Sequence, residues 1–557
     1  MAKDRLIYLP LGGAGEIGMN CYVYGYGPVD DERFILVDTG VTFPDMDTSP
    51  GVNLILADID WIVARADRLE AVFITHAHED HIGALGLLIG RLDVPVYARA
   101  FTAAIARLKL EEAGRDPEIV RETPPWPHTI DVGPFTVGFL PVSHSIPESS
   151  ALVIDTKAGR IVHTGDFKLD GAPLVGEAFD PVLWQSVAKS GIQALVCDST
   201  NVFSPEPGRS ESSLAKPIAE LIARQKGMVV ATTFASNVAR LKTLAQAGVD
   251  AGRTVAVMGR AMKRMISVSQ ATGVLADFPP TIPSEEASDI DRRDLMILVT
   301  GSQGERRAGS AQMANGKYNG ITLREGDTFL FSSKTIPGNE NGVARIVNKF
   351  SETGVDVIDE CDGLYHVSGH ANRPDLAAVH ELMKPRMVIP MHGEHRHLRA
   401  HAALAQSGGA PSVIAPNGTM VDLGGKKPRI VEHIETGRRY LDGSVVIGAL
   451  DGIVRDRIRM ALSGHVVVGI VIDENDDPIG GAWVETHGLP DPAGTSGSLA
   501  ALMEEGVEYQ LSRATDKVLL SDDALEELIR RAVRKIAQEV IGKKPECRVM
   551  INRLMAA

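Results

Sequence analysis

An α/β protein of several domains is predicted, and three features predict it. A histidine- and aspartate-rich turn lies between a strand and a helix, a long central run alternates strands with helices, and a terminal segment has a texture of its own. At 557 residues the chain is too long for one core. Hydrophobic residues at 44% and charged residues at 23% have the balance of an ordinary soluble globular protein.

The most chemically loaded stretch is Thr75-His76-Ala77-His78-Glu79-Asp80-His81. The β-prone run Ala71–Ile74 precedes it, and Ile82 to Leu88 begins a helix, so the cluster sits at the carboxyl end of a strand, where open α/β sheets place ligands. Imidazole and carboxylate suit zinc and its neighbours, and His-x-His-x-Asp-His supplies enough of them for two ions. Later strands deliver further donors at their ends: Phe139-Leu140-Pro141-Val142-Ser143-His144, and Ile161-Val162-His163-Thr164-Gly165-Asp166.

Two patterns nearby mislead. Gly13-Ala14-Gly15-Glu16-Ile17-Gly18 matches a dinucleotide fingerprint, yet the adjoining stretch Cys21 to Pro28 is β-prone and ends in proline, so the glycines read as a loop between antiparallel strands. Asp38-Thr39-Gly40 resembles half of an aspartic-protease dyad, but no second copy exists, and Asp38 is expected to buttress the metal turn by hydrogen bonds.

From about Ser204 to Asp362 strands near Met228, Val255, Leu295 and Phe329 alternate with helices near Ala239, Met262 and Val343, the signature of a parallel, doubly wound domain. The loops after its strands, Phe234-Ala235-Ser236-Asn237 among them, are rich in small polar residues that suit an anion. Tyr365-His366-Val367-Ser368-Gly369-His370-Ala371 is expected to end a strand. Met387-Val388-Ile389-Pro390-Met391-His392 does the same and offers His392 as a last metal ligand. His397 and His401, beside Arg396 and Arg399, read as a solvated helix face.

The net charge of −15 argues weakly against a nonspecific polyanion binder, although bound divalent cations and arginines can make one cleft positive. The four cysteines have no paired spacing, which fits a reducing cytoplasm; there is no signal-peptide region and no run long enough to span a bilayer. Beyond about Gly464, a strand His465–Ile472, a long helix capped by Ser521 and a closing strand near Cys547–Ile551 form a small α+β appendage.

With His76, His78, Asp80, His81, His144, Asp166 and His392 assembled, the chain resembles the metallo-β-lactamase superfamily. Asp198 in Cys197-Asp198-Ser199-Thr200, His370 in Ser368-Gly369-His370-Ala371, and His392 in Pro390-Met391-His392-Gly393 resemble the three motifs of its β-CASP nucleases. With the opening Leu11 to Asn20 and the appendage, the whole chain is similar to the bacterial ribonuclease J family.

The resemblance implies an αββα metallo-β-lactamase sandwich over 1–204 and 364–425, an inserted doubly wound β-CASP domain over 205–363, a linker over 426–463 and a C-terminal α+β domain over 464–557. It also implies two divalent ions, zinc foremost with manganese or magnesium as alternatives. His76, His78 and His144 would hold one, Asp80, His81 and His392 the other, and Asp166 would bridge them. Asp80, Asp198 and His370 would be the catalytic residues, with His370 compensating the leaving oxygen. The expected activity is 5′-to-3′ degradation of single-stranded RNA with a preference for 5′-monophosphate ends and some internal cleavage, in RNA maturation and mRNA decay.

In that setting Ser236 and Asn237 from one side, and Ser368, Gly369, His370 and Ala371 from the other, would receive a terminal phosphate. Arg240, Lys242, Arg260, Lys263 and Arg264 would follow the trailing backbone. The partners expected are single-stranded RNA, other RNA-degradation proteins and further copies of the chain, as a homodimer or homotetramer through the C-terminal domain. The rival readings are a small-ester hydrolase of lactonase or glyoxalase type, which needs no insert between Asp198 and His370; a flavodiiron-like oxidoreductase, against which His78 speaks; and a non-catalytic RNA-binding module, which should have lost ligands.

Overall fold

The computed structural model describes residues 4–554 except 317, 337, 360–362 and 494–496. It divides into two compact units, one of Met1–Phe43 with Leu54–Arg439 and the other of Pro44–Asn53 with Tyr440–Ala557.

Two sheets form the frame of the larger unit. In the first, eight strands run in the order Arg429–His433, Thr419–Asp422, Asp4–Gly12, Cys21–Pro28, Arg33–Val37, Leu69–Phe73, Val96–Ala98 and Val120–Glu122. In the second, six run Ile130–Val132, Phe135–Pro141, Ser150–Thr156, Gly159–His163, Ala194–Asp198 and Val388–Met391. Their facing sides share one apolar core, with Tyr8, Tyr24, Val37 and Phe73 meeting Phe139, Ile154, Val196 and Ile389. Alternation along each strand sends the remaining residues outward. Leu195 and Cys197 thus enter a separate layer beneath the helices Pro181–Ala188, Arg373–Met383 and His395–Ser407. The helix Ala100–Glu112 packs outside the first sheet, completing the expected αββα layering.

The insert carries five parallel strands in the order Thr254–Met258, Leu295–Val299, Val229–Thr232, Thr328–Phe331 and Asp356–Ile358. All but the edge strand Asp356–Ile358 are buried on both faces, as a doubly wound sheet requires. Val229 and Ala231 face the helices Ala215–Arg224 and Val238–Asp250, while Val230, Ile297 and Val299 face the side of Glu340–Glu352.

In the smaller unit, strands Pro478–His487, His465–Ile472 and Glu546–Arg553 lie side by side under the helices Leu499–Leu511 and Asp522–Ile541. Ser521 Oγ caps the second helix by accepting from Ala524 N. Leu525, Ile529 and Val533 bury against Val466, Val468 and Ile472, so this small unit has a core of its own. The stretch 426–463 is more ordered than a linker. It carries the strands Arg429–His433, Arg438–Asp442 and Val445–Gly448 and the helix Ile453–Ser463.

Candidate metal centre and active site

The strand Leu69–Phe73 runs out into the histidine turn, and the parallel neighbour Arg33–Val37 ends beside it on Asp38. Asp38 is fully buried with φ of 62°, a left-handed conformation that a non-glycine residue adopts only when its surroundings hold it there. What holds it is its carboxylate, which accepts from Thr75 N at 2.8 Å, Thr75 Oγ1 at 2.8 Å and His81 Nδ1 at 2.7 Å. A Cβ at Gly40 would lie 1.7 Å from the Asp80 carbonyl oxygen, so this loop can pass under the metal turn only with glycine there. The Asp-Thr-Gly triplet is therefore a buttress, as its lack of a second copy predicts.

Three neutral imidazoles converge above it. His76 Nε2 and His144 Nε2 each stand 3.1 Å from His78 Nδ1. Burial, with repulsion among the rings, drives all three far toward the neutral form, His78 down to about 4. His144 donates Nδ1–H to the Gly369 carbonyl at 2.6 Å, which leaves the Nε2 lone pair facing its neighbours. Nitrogens about 3.3 Å apart are what a tetrahedral ion with ligands at ~2.05 Å requires, and the observed spacing fits that.

The second donor set is Asp80, His81, Asp166 and His392, whose ligand atoms lie within 4.8 Å of one another. Asp166 Oδ2 is 3.2 Å from His81 Nε2, its Oδ1 is 2.7 Å from His392 Nδ1, and Asp80 Oδ2 is 3.4 Å from His392 Nε2. Asp166 Oδ2 also lies 3.9 Å from both His76 Nε2 and His144 Nε2, so this carboxylate stands between the two sets. Burial alone would raise both carboxylates and lower both imidazoles. Their mutual attraction outweighs it, holding Asp80 and Asp166 below the usual carboxylate range and lifting His392 to about 10. The two donor sets fit two divalent cations, which would take the place of those protons.

Asp198 and His370 adjoin this group. His370 Nδ1 donates to Asp198 Oδ2 at 2.8 Å, and Asp198 Oδ1 accepts from Thr200 N at 2.9 Å and Thr200 Oγ1 at 2.7 Å. Burial depresses the His370 imidazole, but Asp198 and Asp166 outweigh that and raise it overall. The segment Tyr365 to Ala371 is a loop rather than a strand end, because its contacts are made one by one. Ser368 Oγ accepts from Asn201 Nδ2 at 2.8 Å and from His370 N at 3.1 Å, and Ala371 N donates to Phe167 O at 2.6 Å. At Gly369 a Cβ would come within 2.7 Å of Ser145 Oγ and 2.9 Å of His144 Cε1.

Other expectations change. The Asn237 side chain caps the helix Val238–Asp250, accepting from Arg240 N at 2.9 Å, so its oxygen is already engaged; Ser236 precedes it, half-buried. Arg240 is not a surface cation. It is fully buried, paired with Glu211 at 2.5 and 3.0 Å, and reaches Ser332 O at 2.7 Å and Tyr365 O at 3.4 Å, linking the insert to the His370 loop. Lys242 pairs with Asp277 and Arg264 with Glu112. His397 and His401 are buried rather than solvated: His397 packs on Phe203, with ring centroids 5.1 Å apart, and His401 meets His380 and Ser199.

Asn20 was not singled out by sequence reasoning. Its Nδ2 lies 2.9 Å from His81 Nε2 and 3.0 Å from the Asp80 carbonyl, and Tyr22 Oη donates to its Oδ1 at 2.6 Å. The glycine-rich loop before it, expected to be only a connection, braces the last ligand turn as well. Gly18 N lies 3.4 Å from His392 Nε2, and Gly393 N donates to Glu16 O at 3.1 Å. Only position relative to Asp80, about 60 residues away, gives Asn20 its part, and no local pattern carries that.

Known proteins show the same architecture. Residues 14–200 match the metallo-beta-lactamase superfamily and residues 226–350 the beta-CASP domain of ribonuclease J. Residues 355–416 match the RNA specificity domain of Zn-dependent metallo-hydrolases, and residues 452–554 the C-terminal domain of ribonuclease J. Ribonuclease J of Sinorhizobium meliloti is 39% identical over 100% of this chain and 98% of its own length. Ribonuclease J of Mycolicibacterium smegmatis is 36% identical over 98% of this chain and 97% of its own. A solved Enterococcus faecalis V583 protein of unknown function shares the fold, with a TM-score of 0.53 at 17% identity over 75% of this chain and 100% of its own. With relatives at such identity along its full length, the chain belongs to the ribonuclease J family and is a metal-dependent ribonuclease.

Proposed function

We propose that the chain removes nucleotides from the 5′ end of single-stranded RNA, preferring a 5′-monophosphate, and that internal cleavage occurs when a strand threads past the end pocket. The observation that carries the hydrolytic step of this reading is the position of Asp166, one carboxylate reaching toward both donor sets with the Asp198–His370 pair beside it. In this reading His76, His78 and His144 would hold one ion and Asp80, His81 and His392 the other, with Asp166 serving both. The nitrogen-rich first set favours zinc, and the carboxylates of the second admit manganese or magnesium.

Two such ions supply Lewis-acid polarisation of a phosphodiester and the acidification of water. The chain's own residues do the rest. Asp198 holds His370 by its Nδ1–H, so that Nε2 carries the proton a leaving 3′-oxygen needs. The product keeps its 5′-phosphate. Thr200 fixes Asp198 in turn, and Asp38 keeps His81 oriented.

Ser368 Oγ, the Gly369 amide, and Ser236 with the remaining Asn237 side-chain amide would receive the terminal phosphate; the His370 and Ala371 amides, expected to share in this, already donate to Ser368 Oγ and Phe167 O. Cations lie around His366, at the start of the same loop. Burial and then Arg240, Lys334, Lys168 and Arg209 together hold the His366 imidazole well below its ordinary range. A triphosphate is larger and more charged than such a pocket accepts.

The exposed face of the C-terminal sheet, where Trp483 is 50% and Met550 46% exposed, supports association with further copies, as a homodimer or homotetramer. A cytoplasmic setting is supported by the free thiols of Cys21, Cys197 and Cys547, and among the described residues no helix is long and apolar enough to cross a membrane. The test compares matched RNAs with 5′-monophosphate, 5′-triphosphate and 5′-hydroxyl ends, following release of the first nucleotide. The monophosphate should be fastest, whereas equal rates, or mononucleotides appearing first from the 3′ end, would refute the pocket.

A further inference from the structure

Cys197 and Asp198 are neighbours on one strand, so their side chains leave opposite faces of the sheet. Asp198 serves the reaction centre. Cys197 enters the helix-covered layer on the far side, among Leu195, Val379, Val388 and Ala405. Two imidazoles reach the same point, His380 from the helix Arg373–Met383 and His401 from the helix His395–Ser407. Their Nε2 atoms are 3.1 Å apart with the ring planes within 7°, and the Cys197 sulfur lies with one nitrogen of each inside a 4.8 Å group.

Burial keeps both imidazoles neutral, the state that ligates: His380 is pulled down to about 4 and His401 well below its ordinary range. Ser199 Oγ contacts His401 Nδ1 at 2.9 Å, fixing that ring and leaving its Nε2 for the shared point. Cys197 and His401 are fully buried, while His380 is partly exposed and gives a route from solvent. The set has no carboxylate, which disfavours magnesium and manganese, and one thiolate with two imidazoles suits zinc.

We propose that Cys197, His380 and His401 form a third cation site, for zinc or a similarly thiophilic ion, that fastens two helices to the sheet behind the reaction centre. Binding releases the thiol proton of Cys197 to solvent and joins three separate elements through one ion.

The test is a cobalt(II) titration of the metal-free, full-length protein, followed by absorbance. The seven residues assigned to the two-ion centre include no sulfur, so a thiolate-to-cobalt charge-transfer band reports the third site. The band should appear in the wild type and in Cys21→Ser, and be lost in both Cys197→Ser and His380→Gln. His380→Gln sits at the partly exposed edge, so it tests the site even if Cys197→Ser disturbs packing. Zinc-loaded His380→Gln should carry one ion fewer per chain than wild type while retaining ribonuclease turnover. No band in the wild type, a band surviving both substitutions, or equal zinc content in wild type and His380→Gln would overturn the proposal and leave His380 and His401 as a hydrogen-bonded pair.

Discussion

Asp38 shows how a residue that touches no substrate governs the centre. Its carboxylate is the common acceptor for Thr75 and His81, all of them buried. Asp38→Ala should therefore leave donors unpaired at a cost of about 1–3 kcal/mol and weaken metal binding about 10–100-fold. Thermal melting with and without metal, beside a chelator competition, measures both, and wild-type retention of metal would remove the buttress from this scheme. His370 should behave oppositely. His370→Ala should lower kcat about 10²–10⁴-fold with metal content unchanged, since its Nδ1 is held by Asp198. A parallel loss of metal in elemental analysis would make it a ligand instead. The chemistry of the turn was legible in the sequence because its donors are contiguous from His76 to His81. The part played by Asn20 was not, because it depends on a contact made only after the sheets close.

At the scale of elements, strands were read well where both faces are buried, as in Val229–Thr232 and Leu295–Val299, because continuous apolar runs have few other solutions. The loop Tyr365 to Ala371 misled for a physical reason: its β-prone residues are held singly by Asn201, His144 and Phe167 instead of by a neighbouring strand. Arg240 misled too, since its partner Glu211 lies 29 residues earlier, beyond any helical pattern. The buried pair makes a distinct prediction. Arg240→Met leaves Glu211 unpaired and should destabilise the protein by about 3–5 kcal/mol, with no change in the salt slope of RNA binding. A slope reduced by about 0.7 with unaltered melting would show that Arg240 contacts phosphate after all. His401 was misread in the same way, since charged neighbours at Arg396 and Arg399 say nothing about the face that meets His380.

For the whole molecule, the doubly wound insert and the terminal α+β unit follow from hydrophobic periodicity and the order of elements, whereas the αββα sandwich was implied by the resemblance that the histidine and aspartate motifs carry. Assembly follows from neither. The C-terminal unit fills its own core from one face of its sheet and leaves Trp483, Ile479 and Met550 exposed on the other. A chain ending near Ser463 should have a smaller association state than the full-length protein by light scattering, and an unchanged state would move the interface elsewhere. The most direct measurement concerns the two-ion centre itself. Metal-free His380→Gln protein, in which the third site is removed, is titrated with zinc or manganese while release of the first nucleotide from 5′-monophosphorylated single-stranded RNA is followed. A dinuclear centre predicts turnover that rises to a plateau at two ions per chain and is absent in the Asp166→Ala, His380→Gln double variant at any metal concentration. Full turnover at one ion or none, or an active Asp166→Ala, His380→Gln variant, would contradict it.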